Sequence, residues 1–127
     1  MSRLLNDLSP RFRPLAVELI ARCVEQGIAV LIVNTLRTPE EQAENMRTGV
    51  SWTVNSRHLT GDAIDLVPYE VYTLAPGGDK AAWNAHDSVW SVMGHIGESL
   101  GLKWGGRWRQ RDMGHFEYPE TEPTIRA

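Results

Sequence analysis

His58, Asp65, His115 and Asp112 are the residues of this chain whose types could carry chemistry together. Asp65 lies inside AIDLV, an apolar run that otherwise reads as a buried strand. An ionised carboxylate among apolar neighbours is costly unless a positive charge meets it. Two imidazoles and a carboxylate are the ligand types of an open zinc site, where three protein ligands leave a fourth position for water. One zinc ion on His58, Asp65 and His115 would supply the charge Asp65 lacks, and zinc brings the pKa of bound water to about 7. A hydrolase built this way also needs a carboxylate to move the proton. Asp112, three residues before His115, is the favoured base. Glu117 is a second candidate, but on a strand it shares a face with His115, which could equally make it a residue supporting that histidine or one at the surface.

Spacing alone decides little. The interval from His58 to Asp65 has neither helical nor hairpin regularity. The competing reading pairs Asp65 with an arginine such as Arg37 and leaves both histidines in ordinary hydrogen bonds. Manganese or cobalt could also stand in for zinc.

The elements that must position these residues follow from periodicity. Phe12, Leu15, Ala16, Leu19, Ile20, Cys23 and Val24 mark one face of a first helix stopped by Gly27. Residues 28–35, IAVLIVNT, read as a central strand. A second helix follows, with Thr38 as N-cap, Pro39 in its first turn, Glu41 closing a capping box and Gly49 ending it. Residues 50–61 read as a loop, and GDAIDLVPY as a strand on which Asp65 shares a face with Ala63 and Val67 while Ile64 and Leu66 turn toward the helices. A short hairpin is expected around Gly77 and Gly78. A third helix is expected over residues 85–100, with Val89, Trp90, Met93, Ile96 and Leu100 inward. LKWGGRW and GHFEY read as two short strands. Strands cluster late in the chain, which predicts an α+β domain with a small, mostly antiparallel sheet and about three helices. Residues 1–120 are expected to form one domain and 121–127 a flexible tail.

The 127 residues suit one modest core. A net charge of −3 gives no global reason to bind nucleic acid or an anionic membrane. The single Cys23 excludes an internal disulfide and belongs to the inner face of the first helix. The opening residues lack a signal-peptide pattern, and no stretch nears the roughly 20 apolar residues of a membrane span. The expectation is a monomer made in a cytoplasm that reaches its target only with another factor's help. The basic turn KWGGRWRQRD could bind a nucleic-acid strand, line a site facing an anionic polymer, or be a solvated turn. His86 and His95 are expected to be structural and solvated, respectively.

SRHLTGDAIDLVPY together with DMGHFEY resembles the signature of zinc peptidases that cut bacterial cell-wall peptides. These include D-alanyl-D-alanine carboxypeptidases and the L-alanyl-D-glutamate endopeptidases of phage endolysins. The matching positions are Ser56, His58, Gly61, Ala63, Asp65, Asp112 and His115, with Arg37 and Gln42 upstream in LRTPEEQ. The resemblance covers residues 37–118 and implies the hedgehog/D,D-peptidase fold. It implies zinc on His58, Asp65 and His115, and Asp112 as catalytic acid and base. Arg37 would stabilise the oxyanion or hold a substrate carboxylate. Gln42 would support the site or bind substrate, and Ser56 would bond backbone or substrate near the metal or be a plain loop serine. Aspartate rather than glutamate at position 112 favours the endolysin endopeptidases. The implied partner is the peptidoglycan stem peptide. The alternatives are a D-alanyl-D-alanine carboxypeptidase on the same site, or a zinc-stabilised wall-binding module without catalysis.

Overall fold

The structure is a computed structural model and describes residues 1–49, 56–69 and 81–122. Among these residues three α-helices, α1 (Arg13–Glu25), α2 (Pro39–Arg47) and α3 (Asp87–Ser99), accompany four strands. The strands are β1 (Val30–Asn34), β2 (Ala63–Pro68), β3 (Lys103–Trp104) and β4 (His115–Glu117). They form one antiparallel sheet in the order β1-β2-β4-β3.

The sheet has two chemically different faces. Ile64 of β2, Phe116 of β4 and Trp104 of β3 stand opposite one another in register. All three are buried, and they face α3. A Cβ on Gly97 would come within 2.5 Å of the Phe116 ring, and one on Gly94 within 2.3 Å of Trp104. These two glycines let the aromatics press against the helix backbone, and α1 closes the core with Phe12, Ala16, Leu19 and Cys23. Alternation along the strands turns the next row outward. Asp65 therefore stands opposite His115 on β4 and Asn34 on β1.

The capping box of α2 is present, with Thr38 and Glu41 exchanging side-chain and backbone hydrogen bonds. Four expectations need correction. The strand at 28–35 is an edge of the sheet rather than its centre, because β2, buried on both faces, takes that place. Val24 of α1 is 57% exposed, since the buried stripe runs through Ala16, Leu19 and Cys23 and ends before it. The segment 57–60 is a 3-10 helix rather than a loop, begun by Ser56, whose hydroxyl accepts from His58 N–H. LKWGGRW contributes only two strand residues before a 3-10 turn at Gly105–Arg107. His86 caps α3 by accepting from Ser88 N–H, and His95 is exposed. The hairpin expected near Gly77 and Gly78 and tail residues 123–127 lie outside the described residues.

The N-terminal segment is locked beneath the 3-10 helix by Gly61 and Asp62. Gly61 has φ +74°, and a Cβ there would meet Ser9 N at 2.9 Å, so only glycine fits. The buried Asp62 carboxylate accepts from Ser9 Oγ (2.6 Å), Thr60 Oγ1 (2.7 Å), and Arg11 Nε and Nη2 (3.1 and 2.9 Å). Burial would raise its pKa, but the hydrogen bonds from Arg11, Ser9 and Thr60 outweigh that and hold it well below the usual carboxylate range. A depressed folded pKa stabilises the fold above the unfolded value of about 3.9, and this contribution fades as pH falls below it. Asp62→Asn should cost about 1–3 kcal/mol at neutral pH. Melting curves taken between pH 6 and pH 2 should show the gap between wild type and variant narrowing as acid is added; a constant gap contradicts the assignment.

Candidate metal centre

Each candidate side chain is held by a separate element. The 3-10 helix Arg57–Thr60 carries His58, β2 carries Asp65, and β4 begins with His115. One ligand atom from each lies within 4.8 Å of the other two. Asp65 Oδ2 is 3.1 Å from His58 Nε2, and Asp65 Oδ1 is 3.0 Å from His115 Nδ1. The imidazole centroids are 5.2 Å apart. The guanidinium of Arg37 stands farther out, with Nη2 4.0 Å from Asp65 Oδ2. Both groups of the two competing readings are thus near Asp65, but the histidines are in closer contact.

The donor chemistry fits a divalent cation. His58 Nδ1–H donates to the carbonyl of Thr35 at 2.7 Å. Its Nε2 is then a lone pair, buried, without a hydrogen bond, and turned toward a carboxylate oxygen. Two lone pairs facing each other at that distance repel unless a cation or proton lies between them. Three carboxylates, Asp65, Asp112 and Glu117, crowd the two imidazoles, and the flanking guanidiniums of Arg37 and Arg57 stay 4.0 Å from Asp65 and Glu117. Burial opposes charge on His115, yet hydrogen bonds to Asp65 and Glu117 push its pKa up to about 9. Burial likewise works against the Asp65 anion, but His115 and His58 hold it far below the usual range. A metal would take the place of the proton that this negative pocket otherwise retains, since the ligands bind as neutral imidazole and carboxylate.

Asp112 lies at the rim, with Oδ2 4.0 Å from His115 Nδ1 and 47% of its side chain exposed. The surrounding protein first, and the Asp65 charge second, push its carboxyl above the usual range. The loop from Gly105 to Asp112 is pinned at both ends, because Trp108 N–H and Asp112 N–H both donate to the Gly105 carbonyl. Arg37 Nη1 donates to Gln42 Oε1 at 2.6 Å and reaches Ser56 Oγ at 3.5 Å. Gln42 is 2% exposed, so it sits behind the guanidinium rather than at the surface. Arg37 N–H also donates to the His58 carbonyl at 3.0 Å, tying the arginine to the turn that carries His58.

Sequence reasoning missed three neighbours. Asn34 Nδ2 donates to Asp65 Oδ2 at 3.0 Å. A bulge after Ile32 brings Asn34, not Val33, opposite Asp65, and no sequence pattern announces such a slip. The carbonyl of Thr35 carries no side-chain signal at all. The ring of Trp108 lies 4.8 Å from His115, centroid to centroid; its place in the basic turn was visible, but its contact was not. Arg107, from the same turn, pairs with Glu98 on α3.

An antiparallel sheet whose outer face gathers two imidazoles and a carboxylate, with a further carboxylate at the rim, is a domain able to hold one metal ion. The family model described as D-alanyl-D-alanine carboxypeptidase matches residues 49–118, more than half of the chain, and the chain belongs to that branch of the M15 peptidase family. An L-alanyl-D-glutamate peptidase of Listeria phage A118 is 35% identical over 105 residues, covering 82% of this chain and 35% of the relative. The enzyme of the same name from Escherichia phage T5 is 33% identical over 94 residues, covering 68% of this chain and 64% of the relative. The chain thus spans about a third of one relative's length and just under two thirds of the other's. Among solved structures, the L-Ala D-Glu endopeptidase ChiX of Serratia marcescens superposes with a TM-score of 0.64 at 26% identity, covering 89% of this chain and 81% of that one. The D,D-pentapeptidase VanY of a VanB-type resistance cassette, solved with Zn(II), gives a TM-score of 0.62 at 14% identity, covering 87% and 72%. That second likeness shows the fold alone, and the α+β, D,D-peptidase-like architecture expected from the sequence is present.

Gly105 sets where Asp112 stands. A Cβ there would lie 2.4 Å from the Asp112 carbonyl and 3.1 Å from both Asp112 Cβ and His115 Cβ. Gly105→Ala should therefore destabilise the domain by about 1–3 kcal/mol, measured by urea unfolding. An unchanged midpoint would show that the loop relaxes without cost.

Proposed function

We propose that this domain is a zinc peptidase that hydrolyses the L-alanyl-D-glutamate bond of the peptidoglycan stem peptide. The observation that carries the reading is the convergence of His58, Asp65 and His115 on one point, with the Asp112 carboxylate 4.0 Å from His115 Nδ1. The names of the two phage relatives and of ChiX supply the bond. His58 Nε2, Asp65 and His115 Nδ1 would hold the ion. Zinc bound there would lower the pKa of water to about 7 and polarise a carbonyl as a Lewis acid.

The chain's own residues do the rest. Asp112 accepts the proton of the attacking water and delivers it to the departing amine of D-glutamate as the C–N bond breaks. A carboxylate on L-alanine and a free amine on D-glutamate result. Arg37 is the fixed positive charge beside the centre, preorganised by Gln42 and Ser56 to stabilise the negative charge growing on the carbonyl oxygen. Ser56 also sets the 3-10 turn that presents His58. The domain would act as a phage endolysin on the cell wall, reaching it once another factor has permeabilised the membrane. Among the described residues no helix is long and apolar enough to cross a membrane.

Purified cell wall digested with the zinc-loaded protein should yield new amino groups on D-glutamate. Free D-alanine instead would move the assignment to a carboxypeptidase, and intact wall would overturn the peptidase reading. A chelator should abolish digestion and added zinc restore it. Asp112→Ala should lower turnover by about 10²–10⁴-fold with one zinc still bound, whereas His115→Ala should lose both metal and activity. Near-normal turnover in Asp112→Ala would remove Asp112 from the base role.

A further inference from the structure

Glu117 is a buried acid that the proposed reaction does not use. It is 9% exposed and follows His115 by two positions on β4, so both side chains leave the same face of the strand. Its Oε1 lies 2.8 Å from His115 Nε2, the ring nitrogen opposite the one that meets Asp65. Its other basic neighbour is committed elsewhere: Arg57 Nη2 donates to the Tyr118 carbonyl at 3.0 Å, and Arg57 Nε stays 4.0 Å from Glu117 Oε2. Lys103, across the strand pair from Glu117, is exposed. A carboxylate this buried needs a donor, and the short contact it has is to His115.

We propose that Glu117 is a positioning residue that makes His115 a metal ligand through Nδ1. By accepting from Nε2–H it fixes which ring nitrogen carries the proton and prevents the imidazole from turning about its Cβ–Cγ bond. It also raises the basicity of the nitrogen left free. His58 is held in the complementary way, with its Nδ1–H on the Thr35 carbonyl and Nε2 free. The two imidazoles thus offer different nitrogens to the same point, one fixed by a backbone carbonyl and the other by a carboxylate. This rules Glu117 out as the proton carrier of the reaction, because its Oε1 faces the far side of the ring. The inference rests on His115 being a zinc ligand, as the proposed function requires.

The test uses the whole chain and zinc itself, in competition with a chromophoric chelator. Glu117→Ala should weaken zinc binding by about 10–100-fold. Long-range proton–nitrogen spectra of the zinc-loaded protein should show His115 protonated at Nε2 in wild type and a mixture of ring states in the variant. A role confined to stability would lower the melting temperature of the metal-free protein and leave the zinc-loaded ring state unchanged, which overturns the proposal. Should Glu117→Ala fail to fold, Glu117→Gln keeps an acceptor but loses the charge. It should retain the Nε2 proton and bind zinc about 3–10-fold more weakly, because the hydrogen bond to the ring survives and only the charge is lost. Wild-type affinity in Glu117→Gln overturns the role of the charge. Wild-type protein that binds zinc but leaves cell wall intact would defeat the proposed peptidase activity while the Glu117 comparison still stands. A wild-type chain that takes up no zinc would overturn both.

Discussion

Everything at the candidate metal centre depends on the register of the antiparallel pairing between β2 and β4. Asp65 stands opposite His115, and one step along, Ile64 stands opposite Phe116. A shift of one residue would exchange faces, sending the carboxylate into the core and the phenyl ring into the site. The core therefore protects the site. Phe116 is wedged against α3 at Gly97, where even a methyl group would not fit, and that packing holds the register that sets Asp65 opposite His115. Leu66 N–H bonds to the Gly114 carbonyl at 2.8 Å just before β4 begins, which continues the same register into the turn carrying Asp112.

The electrostatics follow from that geometry. Once the pairing has put Asp65, His115 and Glu117 on one face, the pocket holds more carboxylate than cation. Arg37 and Arg57 stand back by 4.0 Å, each engaged with other partners. Such a pocket retains a proton on His115 or attracts a divalent ion, and neutral imidazoles with fixed tautomers favour the ion. Around it the second layer is built from unlike parts: a backbone carbonyl for His58, a carboxylate for His115, and an amide from Asn34 for Asp65. The N-terminal segment stabilises this arrangement from below. Ser9 and Arg11 close on Asp62, in the turn between His58 and Asp65.

Much of the site was legible because its chemistry is expensive. An aspartate inside AIDLV, histidines without periodic neighbours, and an acid three residues before His115 are all out of keeping with their surroundings, and such residues stand out in any sequence. Arg37, Gln42 and Ser56 were legible through resemblance and not through spacing; the structure gathers them into one hydrogen-bonded group behind Asp65. The capping box at Thr38 was legible because its hydrogen bonds span only three residues. The edge position of β1, the truncation of β3 to two residues and the exposure of Val24 were not, because each depends on which distant element covers the surface.

Local patterning by itself determined the helices, the ends set by Gly27 and Gly49, and the inventory of ligand-type side chains. Those are properties of neighbouring residues, whose spacing the backbone geometry converts directly into faces and caps. Tertiary structure alone decided that Asn34 rather than Val33 meets Asp65, that Thr35 offers its carbonyl to His58, and that Trp108 covers His115. It also decided that the Glu117 carboxylate lies 2.8 Å from His115 Nε2, on the side of the ring away from Asp65. The physical reason is that these contacts join strands and loops separated by up to dozens of residues, and only the sheet's register, with one bulge in β1, brings the particular atoms within hydrogen-bonding distance.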